Sequence, residues 1–206
     1  MRFLLTAFEP FDGTGLNSSL AGCHAFLQQW GSEFDVRLAV LPVRYGRDVE
    51  AVDRALQDGP VDVILHTGQA TGASVIRVER LAVNVRYSGD AYDRTLPEWS
   101  IPQQQIEAGG PPAYLSTLPV EQVATNIREL GVPATVSNHA GIYLCNHALY
   151  QSLRRAELTK SGVRAGFLHV PCLPEQAGEL PSMSVADIAT ALRAAFHCLA
   201  APTVPV

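Results

Sequence analysis

The chain has 206 residues and a single lysine, Lys160, among its 15 Lys and Arg residues. Lysine-dependent chemistry (a P-loop, a Schiff base, a Ser-Lys dyad) is therefore confined to one candidate. A basic excess is missing as well. With 20 Asp and Glu the formal net charge is -5, the wrong sign for neutralising nucleic-acid phosphates, so no nucleic-acid partner is expected. Charged residues make up only 17% of the chain and hydrophobic ones 47%, a balance that can bury a core and leaves surface to be covered in a homo-oligomer. No run approaches the ~20 apolar residues of a membrane span. The apolar start, Phe3 to Phe8, meets Glu9-Pro10 too soon for a signal segment and reads as a first core strand. Cysteines are few and widely spaced (Cys23, Cys145, Cys172 and Cys198), without Cys-x-x-Cys, and His-Glu-x-x-His is absent. Neither a zinc site nor a disulfide framework is expected, and a cytoplasmic protein with reduced thiols and no metal is the economical reading.

What is present is alternation. Strand-length apolar runs at Phe3 to Phe8, Val36 to Leu41, Val61 to Leu65, Ala134 to Ser137 and Gly166 to Val170 are separated by segments of helical period. The helices are expected at Ser18 to Trp30, Arg47 to Leu56, Val120 to Leu130, Asn146 to Leu158 and Ser184 to Leu199, the last opened by Ser184 and Asp187 in capping-box positions. Val75 to Val85 reads as extended, either a hairpin or a bent pair. The pattern predicts one α/β domain over residues 1–206, a three-layer sandwich with a mainly parallel, twisted mixed sheet and helices on both faces. One irregular stretch, about 86–112, is rich in proline and reads as a surface excursion; the tail 201–206 is expected to fray.

Open parallel sheets bind ligands beyond the carboxyl ends of their strands. The residues expected there are Phe8 to Gly13, His66 to Gln69, Asn138 to Asn146 and His169 to Pro171. Cys145, placed just before a helix, is where free N–H groups and the helix dipole favour a thiolate. An arbitrary cysteine is more often a small buried hydrophobe, the better reading for Cys23 and Cys198; Cys172, in a loop near His169, is a second-choice nucleophile. His169, which alone would pass for a core histidine, gains weight as the base that a thiol nucleophile needs. His147 is nearer in sequence but two residues along the helix, so it should point away from the thiol. Glu79, in an otherwise apolar strand, is either the acid that orients His169 or an exposed carboxylate paired with Arg77 or Arg80. From the residues alone the reading stops at an α/β domain with a candidate Cys-His-acid site and no substrate.

Four segments together carry a resemblance. They are Thr6 to Gly13 with Asn17; His66-Thr67-Gly68-Gln69-Ala70 with Glu79-Arg80-Leu81-Ala82-Val83-Asn84; Ser137 to Tyr150; and Gly166 to Pro171 with Leu173-Pro174-Glu175-Gln176. In order and spacing they resemble the motifs of the pyroglutamyl peptidase I family of cysteine peptidases. The resemblance implies hydrolytic removal of N-terminal pyroglutamate from peptides, without a cofactor, with Cys145 as nucleophile, His169 as base and Glu79 as orienting acid. It further implies Phe8 and Phe11 flanking the lactam ring, Asn17 and Gln69 as polar residues around the pocket, and a tetramer. A flat, neutral lactam suits apolar walls, whereas a charged N-terminus would lose its hydration uncompensated.

The chain departs from the family pattern in three places. Asp12 stands for the second loop glycine and Asn17-Ser18-Ser19 for Asn-Pro-Ser; and Val85 to Tyr92 replaces an Asp-Ala-Arg-Ile-Pro stretch, with Arg86 and Arg94 both candidates for its arginine. The diverged 85–95 segment favours the alternative function, a protein that binds pyroglutamate or a similar small molecule without hydrolysing it.

Overall fold

The computed structural model describes residues 1–11, 13, 15–88 and 102–201. Among the described residues, ten strands and six helices are arranged around one six-stranded sheet. The strands are β1 (Arg2–Phe8), β2 (Asp35–Leu41), β3 (Val63–Gln69), β4 (Ile76–Glu79), β5 (Leu81–Val83), β6 (Arg86–Tyr87), β7 (Gln103–Gln104), β8 (Ala113–Leu115), β9 (Ala134–Ser137) and β10 (Arg164–Val170). The helices are α1 (Ser18–Trp30), α2 (Arg47–Gln57), α3 (Val120–Glu129), α4 (Leu144–Thr159), α5 (Pro174–Ala177) and α6 (Val185–Ala200). The sheet order is β2-β1-β3-β10-β4-β9, parallel throughout except where β10 meets β4. This is the expected mainly parallel mixed sheet with helices on both faces.

Side-chain alternation sorts the central strands onto two cores. Phe3, Leu5, Val63, Leu65, Val78 and Leu168 face α1, α3 and α6, while Leu4, Phe8, Ile64 and Phe167 face α2 and α4. The near-continuous apolar runs of β1, β3 and β10 follow from burial on both faces. On the first face α1 crosses α6 closely, with Ile188 occupying the space a Cβ on Gly22 would need. The second core closes over Tyr150 and Leu149 of α4, both fully buried.

Several expectations shift. His66, Thr67 and Gly68 lie inside β3, not after it, because the apolar run continues through small and hydrogen-bonded residues: Thr6 Oγ1 and Ser152 Oγ satisfy the buried His66 ring at 2.8 and 2.9 Å. Val75 to Val85 is neither a hairpin nor a simple bent pair: β4 joins the main sheet while β5 pairs with β8. The flanks of the expected excursion form a two-stranded ribbon, β6 with β7. Its middle, 89–101 with Arg94, lies outside the described residues, as do Asp12 and the tail 202–206. Helix α5 had no periodicity to announce it, being one turn long.

Most consequential for the site, β4 and β9 run against the other four strands. Ser137 therefore lies level with Glu79 and Phe167 in mid-sheet and not at the carboxyl edge expected for it. The loop 138–143 makes up the difference, held by the main-chain bond from Tyr87 N–H to the Ile142 carbonyl at 3.1 Å. Lys160, the one lysine, is the exposed left-handed C-cap of α4, with φ 49°.

Candidate active site

Alternation on two strands brings two polar side chains to the α4 face. In β10, Phe167 and His169 face α4 while Leu168 faces the other core; in β4, Glu79 shares that face because Val78 takes the opposite one. Antiparallel pairing sets Glu79 beside Phe167, and the His169 ring reaches back so that Nδ1 stands 2.9 Å from Glu79 Oε1. Glu79 is 1% exposed and His169 8%, so the exposed-carboxylate alternative for Glu79 is excluded, and Arg80 pairs instead with Glu121 at 2.6 Å. The second carboxylate oxygen of Glu79, Oε2, is buried without a partner among the described residues, which leaves His169 as the main compensation for that charge.

Cys145 completes the group from above. Its sulfur lies over Gly68, where a Cβ would stand 2.9 Å from Sγ and 2.8 Å from Phe167 Cζ. Gly68 pairs with His169 on the adjacent strand, so the thiol over Gly68 neighbours the imidazole. Burial disfavours the imidazolium, but the neighbouring Cys145 and the Glu79 carboxylate outweigh it and push the His169 pKa up to about 9. With Nδ1 engaged by Glu79, Nε2 is the nitrogen left for the sulfur.

The nucleophile's setting differs from expectation in one respect. Helix α4 begins at Leu144, so Cys145 is its second residue, not the one before it. The extended Tyr143 is the N-cap of α4, and the helix's first-turn N–H groups are presented beside the thiol. Asn146, fully buried, ties this turn to the β5 exit: Oδ1 accepts from Val83 N–H at 2.8 Å, and Nδ2 donates to the Val83 and Val85 carbonyls at 2.9 and 3.0 Å. His147 points away from the thiol as expected, into a buried bond with Asp48 Oδ2 at 2.6 Å.

The remaining sequence candidates divide. Phe8 is buried on the Cys145 face and packs in the same core as Leu144, while Phe11 is half-buried on the following loop. Asn17 and Gln69 lie on the α1 side of the sheet. Asn17 caps α1, its oxygen accepting from Ser19 N–H, Ser19 Oγ and Leu20 N–H at 3.0, 2.7 and 3.4 Å and its nitrogen reaching the Glu9 carbonyl at 3.3 Å. Both ends of its side chain are thus engaged within the protein. Phe8 ends β1 on the Cys145 face, and Asn17 caps α1 on the other. Strand β3 runs on to Gln69, three residues past its last partner on β1.

Of the other thiols, Cys23 is fully buried against Thr67 Oγ1 at 3.4 Å and burial pushes its pKa up to about 12. Cys172, 2% exposed, donates to Thr71 Oγ1 at 3.6 Å and not to His169; burial also raises the pKa of Cys198. Three features escaped the sequence: Gly68 as the floor under Cys145, the Asn146 clamp, and the Asp48 partner of His147. Only Gly68 had a signal, a glycine within a strand marking close approach. No group of three or more potential metal ligands occurs among the described residues.

A family model described as pyroglutamyl peptidase matches residues 1–201. The chain belongs to the pyroglutamyl peptidase family. It is 36% identical over 205 residues to a pyrrolidone-carboxylate peptidase of Staphylococcus haemolyticus, covering 97% of this chain and 93% of that one. It is 38% identical over 200 residues to a pyrrolidone-carboxylate peptidase of Chromobacterium violaceum, covering 94% and 90%. Among solved structures, pyroglutamyl peptidase I from Bacillus amyloliquefaciens superimposes with a TM-score of 0.85 at 29% identity, covering 96% of this chain and 94% of that one. Matches of this extent place the site described above within a pyroglutamyl peptidase fold.

Proposed function

We propose that the protein is a cysteine exopeptidase that removes N-terminal pyroglutamate from peptides through Cys145, His169 and Glu79. The observation that carries this reading is the 2.9 Å bond between His169 Nδ1 and Glu79 with the Cys145 sulfur on the same face of the sheet, over Gly68, the residue paired with His169. A thiolate is the nucleophile, and the imidazole oriented by Glu79 is the base that takes the thiol proton.

Cys145 Sγ attacks the pyroglutamyl carbonyl, and the oxyanion faces the first-turn N–H groups of α4, that of Cys145 included. The imidazolium gives its proton to the departing amine, leaving a thioester and a neutral imidazole. His169 then takes a proton from water as the water attacks the thioester; pyroglutamate leaves and the thiolate–imidazolium pair returns. Glu79 fixes the tautomer throughout. Phe8 and Phe11 supply apolar walls for a neutral ring. Asn17 and Gln69 are read as polar residues around that ring, Asn17 also shaping the loop through its bonds to Ser19, Leu20 and Glu9.

The whole chain is read as one peptidase domain acting without a metal or cofactor. A reducing compartment, the cytoplasm, suits four free cysteines one of which must stay a thiol, and no helix among the described residues is long and apolar enough to cross a membrane. The 17% charged fraction and exposed Leu115 and Leu158 support a homo-oligomer, tetrameric by the resemblance.

The test is acid quenching during turnover of a pyroglutamyl amide, followed by peptide mass analysis. A pyroglutamyl adduct on the Cys145 peptide supports the reading; hydrolysis with no adduct and full activity in Cys145→Ala overturns it. Binding of pyroglutamate without any turnover would favour the non-hydrolytic alternative.

A further inference from the structure

Gln176, on the short helix α5, joins three segments of the chain that meet at the carboxyl edge of the sheet. Its Oε1 accepts from Leu173 N–H at 3.1 Å, and its Nε2 donates to the Leu16 carbonyl and to Gln69 Oε1, both at 3.2 Å. Gln69 Oε1 also accepts from Ser18 N–H at 2.9 Å. Main-chain groups fix the polarity of this relay from both ends, because a backbone N–H only donates and a carbonyl only accepts. Leu173 N–H selects the oxygen of Gln176, the Leu16 carbonyl selects its nitrogen, and Ser18 N–H selects the oxygen of Gln69. The amide-to-amide contact therefore has one orientation, donor against acceptor, and neither amide can turn over without breaking two bonds.

The relay matters because of what it tethers. In the loop between β1 and α1, Gly13 and Gly15 both have φ of 68°, a conformation that favours glycine. At its start the loop is pinned to β2, with Glu9 N–H on the Leu41 carbonyl at 3.0 Å and Glu9 Oε1 accepting from Val43 N–H at 2.9 Å. At its end, Gln176 binds the Leu16 carbonyl from outside the loop. Gln176 lies seven residues after His169, and Gln69 directly follows Gly68, so the tether runs from the imidazole segment and the floor of the thiol site to the loop that bears Phe11.

We infer that Gln176 is a positioning residue for substrate binding: through the Leu16 carbonyl and Gln69 it fixes the end of the segment that bears Phe11, which the peptidase reading sets against the pyroglutamyl ring, without touching the reacting atoms. The inference rests on the peptidase reading above. Its consequence is a separation of effects. Cys145, His169 and Glu79 lie on the opposite face of the sheet, so loosening the relay weakens ring binding and leaves the chemical step largely as it is.

Gln176→Glu keeps the side-chain length and the oxygen facing Leu173 but sets its second oxygen against two acceptors, the Leu16 carbonyl and Gln69 Oε1. Gln176→Met keeps the length and removes the polar contacts, and it carries the test if the charged variant does not fold. Each is compared with wild type for kcat and KM on a chromogenic pyroglutamyl amide and for the rate of inactivation by iodoacetamide. The expected result is KM raised about tenfold in Gln176→Glu and less in Gln176→Met, the scale of one or two lost neutral hydrogen bonds. With it, kcat stays within about threefold and the alkylation rate within about twofold of wild type. An unchanged KM overturns the inference. So does a fall in kcat and alkylation rate as large as the change in KM, which would make Gln176 a general prop of the fold. A wild-type protein that hydrolyses no pyroglutamyl amide would overturn the peptidase reading itself, a result seen before any variant is compared.

Discussion

The sulfur of Cys145 occupies the space that a side chain on Gly68 would need: a Cβ there would stand 2.9 Å from Sγ and 2.8 Å from Phe167 Cζ. Strand β3 thus approaches α4 closely enough for a thiol on the helix to reach a histidine on the neighbouring strand. Gly68→Ala must push the sulfur, the Phe167 ring or the strand aside. It is expected to lower stability by about 1–3 kcal/mol. Because misplacement of a reacting atom by about 1 Å is costly, it is also expected to lower kcat on the order of a hundredfold. Denaturant titration and steady-state kinetics on the same preparation check both; a fully active Gly68→Ala protein would refute the close packing.

The His169 proton gives a pH signature with a definite sign. Its pKa is raised from 6.5 to about 9, so between these values the folded protein holds a proton that the unfolded chain has released. The stability this contributes is complete below about 6.5 and is lost as pH rises through about 9. Comparing denaturation midpoints of wild type and His169→Ala from pH 6 to 10, the two curves should converge at the alkaline end. Activity should fall along the same alkaline limb, since the amine needs the proton.

Glu79 acts on that limb without reacting. Glu79→Gln removes a charge and an acceptor that hold the imidazolium, so the alkaline limb of kcat/KM should move to lower pH. The rate itself should drop on the order of a hundredfold, less than for loss of the thiol. An unmoved limb with an unchanged rate would remove Glu79 from the site.

Asn146 is the clamp on the nucleophile's turn. Asn146→Asp keeps the shape but cannot donate to the Val83 and Val85 carbonyls, leaving them buried and unsatisfied beside a new charge. It is expected to lose more than about 2 kcal/mol of stability together with most of the activity. Urea denaturation with parallel assays checks this, and a stable, active variant would contradict it.

Much of this was legible in the chain, and the failures share a cause. Helices α1, α2 and α6 and strands β1 and β9 follow from periodicity, because each element buries one stripe or an uninterrupted apolar run. Cys145 and His169 were legible as a pair from their places at element ends. Glu79 was not decided by its neighbours: an acid in an apolar strand has two readings, and only antiparallel pairing of β4 with β10 puts it under His169. Strand direction is not written in a four-residue apolar run, which is why Ser137 was expected at the wrong edge. Asn146, Asp48 and Gln176 act through partners 63, 99 and 107 or more positions away, distances no local pattern encodes.

The central claim is that Cys145 is the nucleophile of a pyroglutamyl peptidase. Its most direct measurement is release of the amine from a pyroglutamyl amide by wild type, by wild type treated with iodoacetamide, and by Cys145→Ala. The account predicts turnover by the untreated protein, and loss of about a thousandfold or more after alkylation and in Cys145→Ala, with Cys23, Cys172 and Cys198 unlabelled in their buried sites. A Cys145→Ala protein that hydrolyses the amide at the wild-type rate would contradict it.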